Sequence, residues 1–305
     1  MDGIINIYKT CGVTSHSTVS RLKKILGIKK AGHAGTLDPM ATGVLPVLIG
    51  RATCAQDYIM GKSKCYRAGI RFGTETDSGD ITGNIIKKED FNKDKETVID
   101  AAKSFCGKIK QTPPMYSAVK VGGRKLYELA REGKTAERKE REIEIYSIDF
   151  EKKLNDTDYV FVVMCSKGTY IRTLAEDIGK KLGTGACLFS LERISNGMFT
   201  ADDSITLDEL QEYADRNETD KISERIISCE KIFEKYPAVT LSAFYSKLCK
   251  NGCEIYASKA GIDIGIFDSC GFCRLYDQNN VFFALGKLSL YNSGHAVKAV
   301  LRFAD

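Results

Sequence analysis

The residue best suited to chemistry in this chain is Asp38. It stands in AGHAGTLDPMATGVLPVLIG, residues 31–50, where glycines at 32, 35, 43 and 50 and prolines at 39 and 46 demand a structured loop that runs into a buried strand, VLPVLI. Between Lys30 and Arg51 it is the only side chain with a formal charge. A carboxylate is expensive to take out of water, and the proline that follows holds its backbone extended. Two roles fit: an aspartate that caps its own turn, or a lone acid used as a nucleophile or counter-ion. His33, Thr36 and Thr42 are the other polar side chains of the loop. No second acid is near in sequence, which argues against a paired-carboxylate glycosidase.

The elements that must position this loop can be read from periodicity. Residues 4–8 read as a short strand. STVSRLKKILGI, 17–28, places Val19, Leu22, Ile25 and Leu26 on one helical face, with Ser17 as N-cap and Gly27 just past the end. CYRAGIRFG, 65–73, alternates: Tyr66, Ala68, Ile70 and Phe72 share one face, Arg67 and Arg71 the other. Residues 76–100 read as a polar loop entering a helix. The segment 111–134 reads as a Pro-led turn, a Gly-Gly hinge and a basic helix, Lys120–Arg131. Residues 142–154 and 158–169 read as antiparallel strands, and 169–183 as a helix with Ile171, Leu174, Ile178 and Leu182 on one stripe and a stop at Gly183. The stretch 202–234 reads as helical, and Pro237 marks a domain boundary. The last ~68 residues alternate short apolar runs with glycine turns, the spacing of a small β-barrel or sandwich.

Charge is uneven along the chain. The total is +5, but residues 1–74 hold eleven Lys/Arg against three Asp/Glu, and residues 200–234 hold four against eleven. A basic body with an acidic appendage points to a polyanion, for which a phosphate backbone is the common source; an unevenly charged solvated surface is the other reading. Composition, 43% hydrophobic and 28% charged, excludes disorder, collagen and coiled coil as the main theme. No run approaches the ~18–20 apolar residues of a membrane span. MDGIINIYKTCG lacks the pattern of a signal peptide, so a cytoplasmic location is expected. No Walker motif or dinucleotide fingerprint is present.

GHAGTLDPMATGVLPVLIG closely resembles the catalytic signature of the TruB family of tRNA pseudouridine synthases. Four further stretches match that family in the same order: SKCYRAGIRFGTETDSGD, QTPPMYSAVKVGGRKLYELAREG, SKGTYIRTLAEDIG and LERISNGMF. The resemblance covers about residues 3–200, with a weaker match near the C-terminus to the family's RNA-binding PUA domain. It implies an α+β fold: a mixed, largely antiparallel sheet with flanking helices, plus a small C-terminal β-barrel-like PUA domain. The domains are then 1–236, with an acidic helical segment from about 200, and 237–305. The implied reaction isomerises uridine to pseudouridine in the tRNA T-loop (position 55), without a cofactor, and a monomer with tRNA as its partner and no protein partner is expected.

Residue by residue, the resemblance places the nucleophile on Asp38 and its pairing arginine on Arg172. Tyr66 becomes the base-stacking tyrosine and a candidate for handling the C5 proton; by pattern alone it is a core tyrosine. His33, Tyr170 and Leu191 shape the pocket. Lys9 and the helix beginning at Lys120 contact phosphate, unless they simply form a solvated basic face. Two departures stand out. The family's N-terminal Lys-Pro is Lys9-Thr10 here, and its Leu-Arg-Arg-Thr run is Leu191-Glu192-Arg193-Ile194. Neither is expected to touch the catalytic set. A non-catalytic tRNA-binding or tRNA-folding protein on the same scaffold is the alternative, and an RNA-guided relative is a third.

Eleven cysteines, odd in number and scattered, read as free thiols in a reducing compartment. Cys249-x3-Cys253 and Cys270-x2-Cys273 approach the spacing of a four-thiolate zinc site. The first spacing is off and the resembled domain needs no metal, so packing of Cys249 on a helix and of Cys270 and Cys273 on strands is the reading preferred, with no metal bound.

Overall fold

The structure, a computed structural model, describes residues 1–59, 63–117 and 119–304, apart from the side chain of Arg131. Strands β1 (Gly3–Lys9), β2 (Ala31–His33), β3 (Thr42–Ile49), β4 (Ser63–Phe72), β5 (Gly107–Gln111), β6 (Arg141–Lys153), β7 (Asp158–Ser166) and β8 (Ala186–Asn196) lie in one sheet. Its order is β1-β3-β8-β4-β7-β6-β5, with β2 on β3 and the short pair Ile226–Ile227 outside β1. The β3–β8 pair is parallel, Thr42 opposite Glu192 and Gly43 opposite Arg193, while the other pairs along this order are antiparallel.

Helix α1 (Ser15–Ile25) and helix α2 (Ile171–Lys181), with Lys95–Lys103 and Leu207–Asp215, cover one face. The continuous apolar run of β3 follows from burial on both sides. Leu45, Val47 and Ile49 join the helix-covered core, while Val44 and Leu48 join a second core with Phe233, Leu285 and Phe303. That second core welds the sheet to a curled five-stranded sheet made from Ala238–Thr240, Ile255–Tyr256, Phe272–Tyr276, Phe282–Tyr291 and Gly294–Arg302. No helix among the described residues is long and apolar enough to cross a membrane.

The α+β class implied by the resemblance is present, and the strands at 4–8, 65–73, 142–154 and 158–169 and the helix at 169–183 appear where periodicity puts them. Other expectations are corrected. The first helix starts three residues early because Thr14, not Ser17, is the N-cap, accepting the Ser17 N–H at 3.0 Å. The C-terminal strands make the expected barrel-like unit, a curled five-stranded sheet, but it includes a helix, Ala243–Lys250, that glycine spacing did not reveal. The segment 120–131 is a hairpin, Lys120–Val121 against Arg124–Lys125, followed by a helix of only six residues, Leu126–Arg131. Gly122 and Gly123 both have positive φ and make a turn there instead of a hinge.

Candidate active site

The loop that carries Asp38 is pinned from three sides. Ser15, in the first turn of α1, accepts the Leu37 N–H at 2.8 Å and donates its hydroxyl to the Leu37 carbonyl at 3.0 Å. The Asp38 carbonyl accepts the Ala41 N–H at 3.1 Å, closing a turn with Asp38 first and Pro39 second, the places these residues favour. The third anchor is Lys9. Its buried ammonium donates to the carbonyls of Thr10, Val13 and Pro39 at 2.9, 2.8 and 3.2 Å. Burial pulls its pKa down to about 8. Lys9 was expected at the RNA backbone; the structure places it under the loop, where its three donors are already satisfied.

Beneath the loop lies an arginine whose role the sequence did not disclose. Arg193 is fully buried. It donates to the carbonyls of Val44 at 2.7 Å, Gly35 at 3.0 Å and Thr36 at 3.4 Å. Asn196 adds a bond to the Ala34 carbonyl at 2.7 Å. Close approach of β3 to β8 makes this possible, and it requires Gly43: a Cβ there would lie 2.3 Å from the Arg193 carbonyl oxygen, at φ +100°. The Arg193 guanidinium also stands beside the Tyr66 hydroxyl. The departure at 191–194 therefore does touch the site. Alternation carries the signal that was available, since Leu191 and Arg193 are two apart on one strand and share a face.

Arg172, in the first turn of α2 and 5% exposed, grips the Asp38 carboxylate with both arms: Nε to Oδ2 at 3.0 Å and Nη2 to Oδ1 at 3.2 Å. It also donates to the carbonyls of Ser78 at 3.0 Å and Tyr116 at 2.7 Å, so one guanidinium joins three loops. The carboxylate does not cap its own turn. It faces Arg172, and 33% of the side chain remains open to solvent. Burial pushes the Asp38 carboxyl up from the ordinary aspartate value. Arg172 draws it down, Asp80 adds to the push, and Lys9 opposes it. Asp80 is thus a second acid near the site in space though far in sequence. Its carboxylate is occupied locally by Ser78 and Thr82.

Tyr66 is buried, and burial raises its phenol above the usual value, with Arg193 opposing. It lies opposite Arg193 on β8, two cross-strand pairs from Ala68–Leu191 and on the same face. The charge of Asp38 reaches its hydroxyl. Tyr170 caps α2 through its backbone, which is clasped by Gln111 on both N–H and carbonyl at 2.8 and 3.0 Å. His33 ends β2 with its Nδ1 buried and unbonded. Burial, and then Arg193, lower its pKa, so it is held neutral. Lys120 is exposed on the hairpin, at the edge of the loop that supplies Tyr116. A polar cleft of about 530 Å³ opens beside this loop, lined by Ser78, Tyr116, Arg138 and Thr173 among others.

The four C-terminal cysteines do not converge. Cys249 and Cys273 pack in the core of the curled sheet, while Cys253 and Cys270 are exposed. No group of three or more His, Cys, Asp or Glu among the described residues is placed to hold a metal.

The arrangement is an aspartate aimed by a buried arginine, with a tyrosine at its side, over the central strands β3, β8 and β4 of the large sheet. Residues 23–171 match the N-terminal domain of the TruB family of pseudouridylate synthases, and residues 172–234 match the C-terminal domain of tRNA pseudouridylate synthase B. The chain is 46% identical over 288 residues to tRNA pseudouridine synthase B of Clostridium tetani, covering 94% of this chain and 96% of the relative. It is 41% identical to that of Clostridium perfringens, covering 94% and 95%. The chain belongs to the TruB family. Among solved structures, this TruB-family fold superposes on a chain of a Cbf5-Nop10-Gar1 complex with TM-score 0.71 and 29% identity, over 98% of this chain and 84% of that one. A chain of an H/ACA ribonucleoprotein bound to a substrate RNA containing 2'-deoxyuridine matches equally well, at TM-score 0.71 and 26% identity over 99% and 85%.

Proposed function

We propose that this TruB-family protein isomerises uridine to pseudouridine in the T-loop of tRNA, at position 55, with Asp38 as the nucleophile. The observation that carries the reading is the two-armed grip of buried Arg172 on a carboxylate that keeps a solvent-facing side. In the reaction the N1–C1′ bond breaks, the base turns, and a C5–C1′ bond forms; the C5 proton leaves and N1 gains one. A carboxylate fixed in one orientation supplies a nucleophile without a cofactor, and the guanidinium keeps it ionised and aimed. A uridine within a folded loop must first swing out, at a loss of a few kcal/mol of stacking. Tyr66 offers a ring to stack on the extruded base and a hydroxyl near the C5 proton. Leu191 lies beside that ring on β8, and Tyr170 and His33 bound the pocket.

Residues 1–236 form the catalytic domain in this reading, and 237–305 an RNA-binding domain. The protein works on tRNA as a cytoplasmic monomer without protein partners, and exposed Lys120 contacts the RNA backbone. The test is mass mapping of pseudouridine in unmodified tRNA incubated with the purified chain alone, paired with tritium release from 5-tritiated uridine. Pseudouridine at the T-loop position without added guide RNA or protein supports the reading and rejects both the RNA-guided and the non-catalytic alternatives. Absence of product in a single turnover, with tRNA bound, overturns it.

A further inference from the structure

β4 carries a second polar residue on the face that holds Tyr66. Lys64 is two residues earlier, a rise of about 6.6 Å along the strand. A bulge in β8 between Arg193 and Ser195 sets Lys64 opposite Asn196 while Tyr66 stays opposite Arg193. The three side chains converge under the catalytic loop: a Cβ placed on Gly35 would lie 3.5 Å from Arg193 Nη1, 3.7 Å from Asn196 Nδ2 and 3.7 Å from Lys64 Nζ. Arg193 and Asn196 are committed to the loop's carbonyls. Lys64 is not. Among the described residues no hydrogen bond or ion pair engages its amine, which is half-buried and still reaches solvent.

The charges around it are of one sign. Arg193 faces it from β8 and Lys167 from the turn after β7, and both disfavour its protonation; the β7 residue Cys165 is a thiol that burial pushes up to about 11 and so stays neutral. Among the described residues no carboxylate balances Arg193 either; the group that offsets its burial is the Tyr66 hydroxyl. A fully buried and a half-buried cation side by side without an anion are unfavourable in the free protein, and they are relieved when an anion arrives. The position, one strand repeat from the tyrosine proposed to stack on the base, suits the chain that leads to that base.

We propose that Lys64 is a phosphodiester-binding residue, its amine pairing with a backbone phosphate of the RNA strand beside the extruded nucleotide. This rests on the nucleic-acid substrate of the reading above and extends it to a residue and a contact. The amine titrates at about 8, lowered by burial first and then by Arg193. It is charged below that value and loses its proton above it. Affinity for RNA therefore falls as pH rises through about 8, and bound phosphate holds the proton on longer.

The test measures equilibrium binding of unmodified tRNA to the full chain carrying Asp38→Asn, so that no turnover intervenes. Adding Lys64→Met is expected to reduce the magnitude of the slope of log K against log salt by about 1, the mark of one lost phosphate contact. Adding Lys64→Arg is expected to keep the slope and to abolish the fall in affinity between about pH 7 and about pH 9. Melting curves of both variants show whether they are folded, and Lys64→Gln replaces Lys64→Met if that variant is not. An unchanged slope for the neutral variant, or the same pH dependence in Lys64→Arg as in its parent, overturns the proposal. The reaction assay on the chain without substitutions is separate: product with an unchanged slope removes this contact alone, and a changed slope without product removes the reaction alone.

Discussion

Arg71 and Arg172 each grip an aspartate with two nitrogens, yet the two pairs are built for different ends. Arg71 holds Asp158 at 2.8 and 2.7 Å, and that carboxylate also accepts from Asn155 at 3.0 Å and Thr157 at 3.1 Å. It is 4% exposed, and the bonds from Arg71 draw its carboxyl below the ordinary range despite burial. Arg172 holds Asp38 at 3.0 and 3.2 Å while also serving two backbone carbonyls, and among the described residues no other donor reaches that carboxylate. There burial wins and the carboxyl is pushed up. A saturated carboxylate is a strut. One that is oriented but left short of donors keeps lone pairs for a substrate, and the fold forgoes some stability to hold it so.

The sharpest way to break this contrast is to neutralise each acid. Asp38→Asn is expected to lower the rate of pseudouridine formation by about 10⁴-fold or more, the scale of losing a nucleophile, while tRNA binding persists. Tritium release in single turnover measures it; activity within tenfold of the parent would end the assignment. Arg172→Lys keeps the charge but loses the fork. It is expected to reduce kcat by about 10²-fold through misorientation, with KM for tRNA little changed. A rise in KM with kcat intact would mean that Arg172 serves binding instead. Asp158→Asn should do the reverse of both: activity within a few-fold, and unfolding free energy reduced by about 2 kcal/mol, as for a buried group that loses its charge while its bonded partner Arg71 keeps its own. Urea unfolding followed by circular dichroism reads this, and an unaffected midpoint would show that the Arg71 pair is not a strut.

Both pairs lie on elements that were legible in the sequence to different degrees. The strand of Tyr66, the helix of Arg172 and the loop of Asp38 follow from alternation, helical spacing and glycine placement, because each pattern reports burial on one face. The roles of Arg172 and Tyr66 came from resemblance and not from spacing, since 134 residues of chain separate Asp38 from Arg172. Two lysines show what local pattern cannot reveal. Lys9 reads as a basic side chain fit for RNA yet is enclosed by three carbonyls, while Lys64, which no pattern singles out, has no hydrogen-bond partner among the described residues. Arg193 was hidden for the same reason. Its partners are backbone carbonyls of residues 35, 36 and 44, and a carbonyl has no signature in the sequence. The hairpin at 120–125 was missed because Gly-Gly permits a turn as readily as a hinge.

The smallest expected effect sharpens the comparison most, because the two acids should bend stability in opposite directions with pH. Asp158 has a depressed folded value, so its contribution is fully present above the ordinary aspartate range and is lost as pH falls through the folded value. Asp38 has a raised folded value. The folded chain there holds a proton that the unfolded chain has already released, so its contribution to stability declines as pH rises through that value. At neutral pH, Asp38→Asn should therefore melt slightly above the parent and Asp158→Asn below it. As pH falls, both differences shrink, the Asp38 difference first, because its carboxyl takes up a proton at the higher pH. Melting temperatures of the three proteins from about pH 7 to about pH 2 test this, the Asp158 difference closing only below about pH 4. If Asp38→Asn melts below its parent at neutral pH, the carboxylate is stabilised in place, and Arg172 is a strut like Arg71.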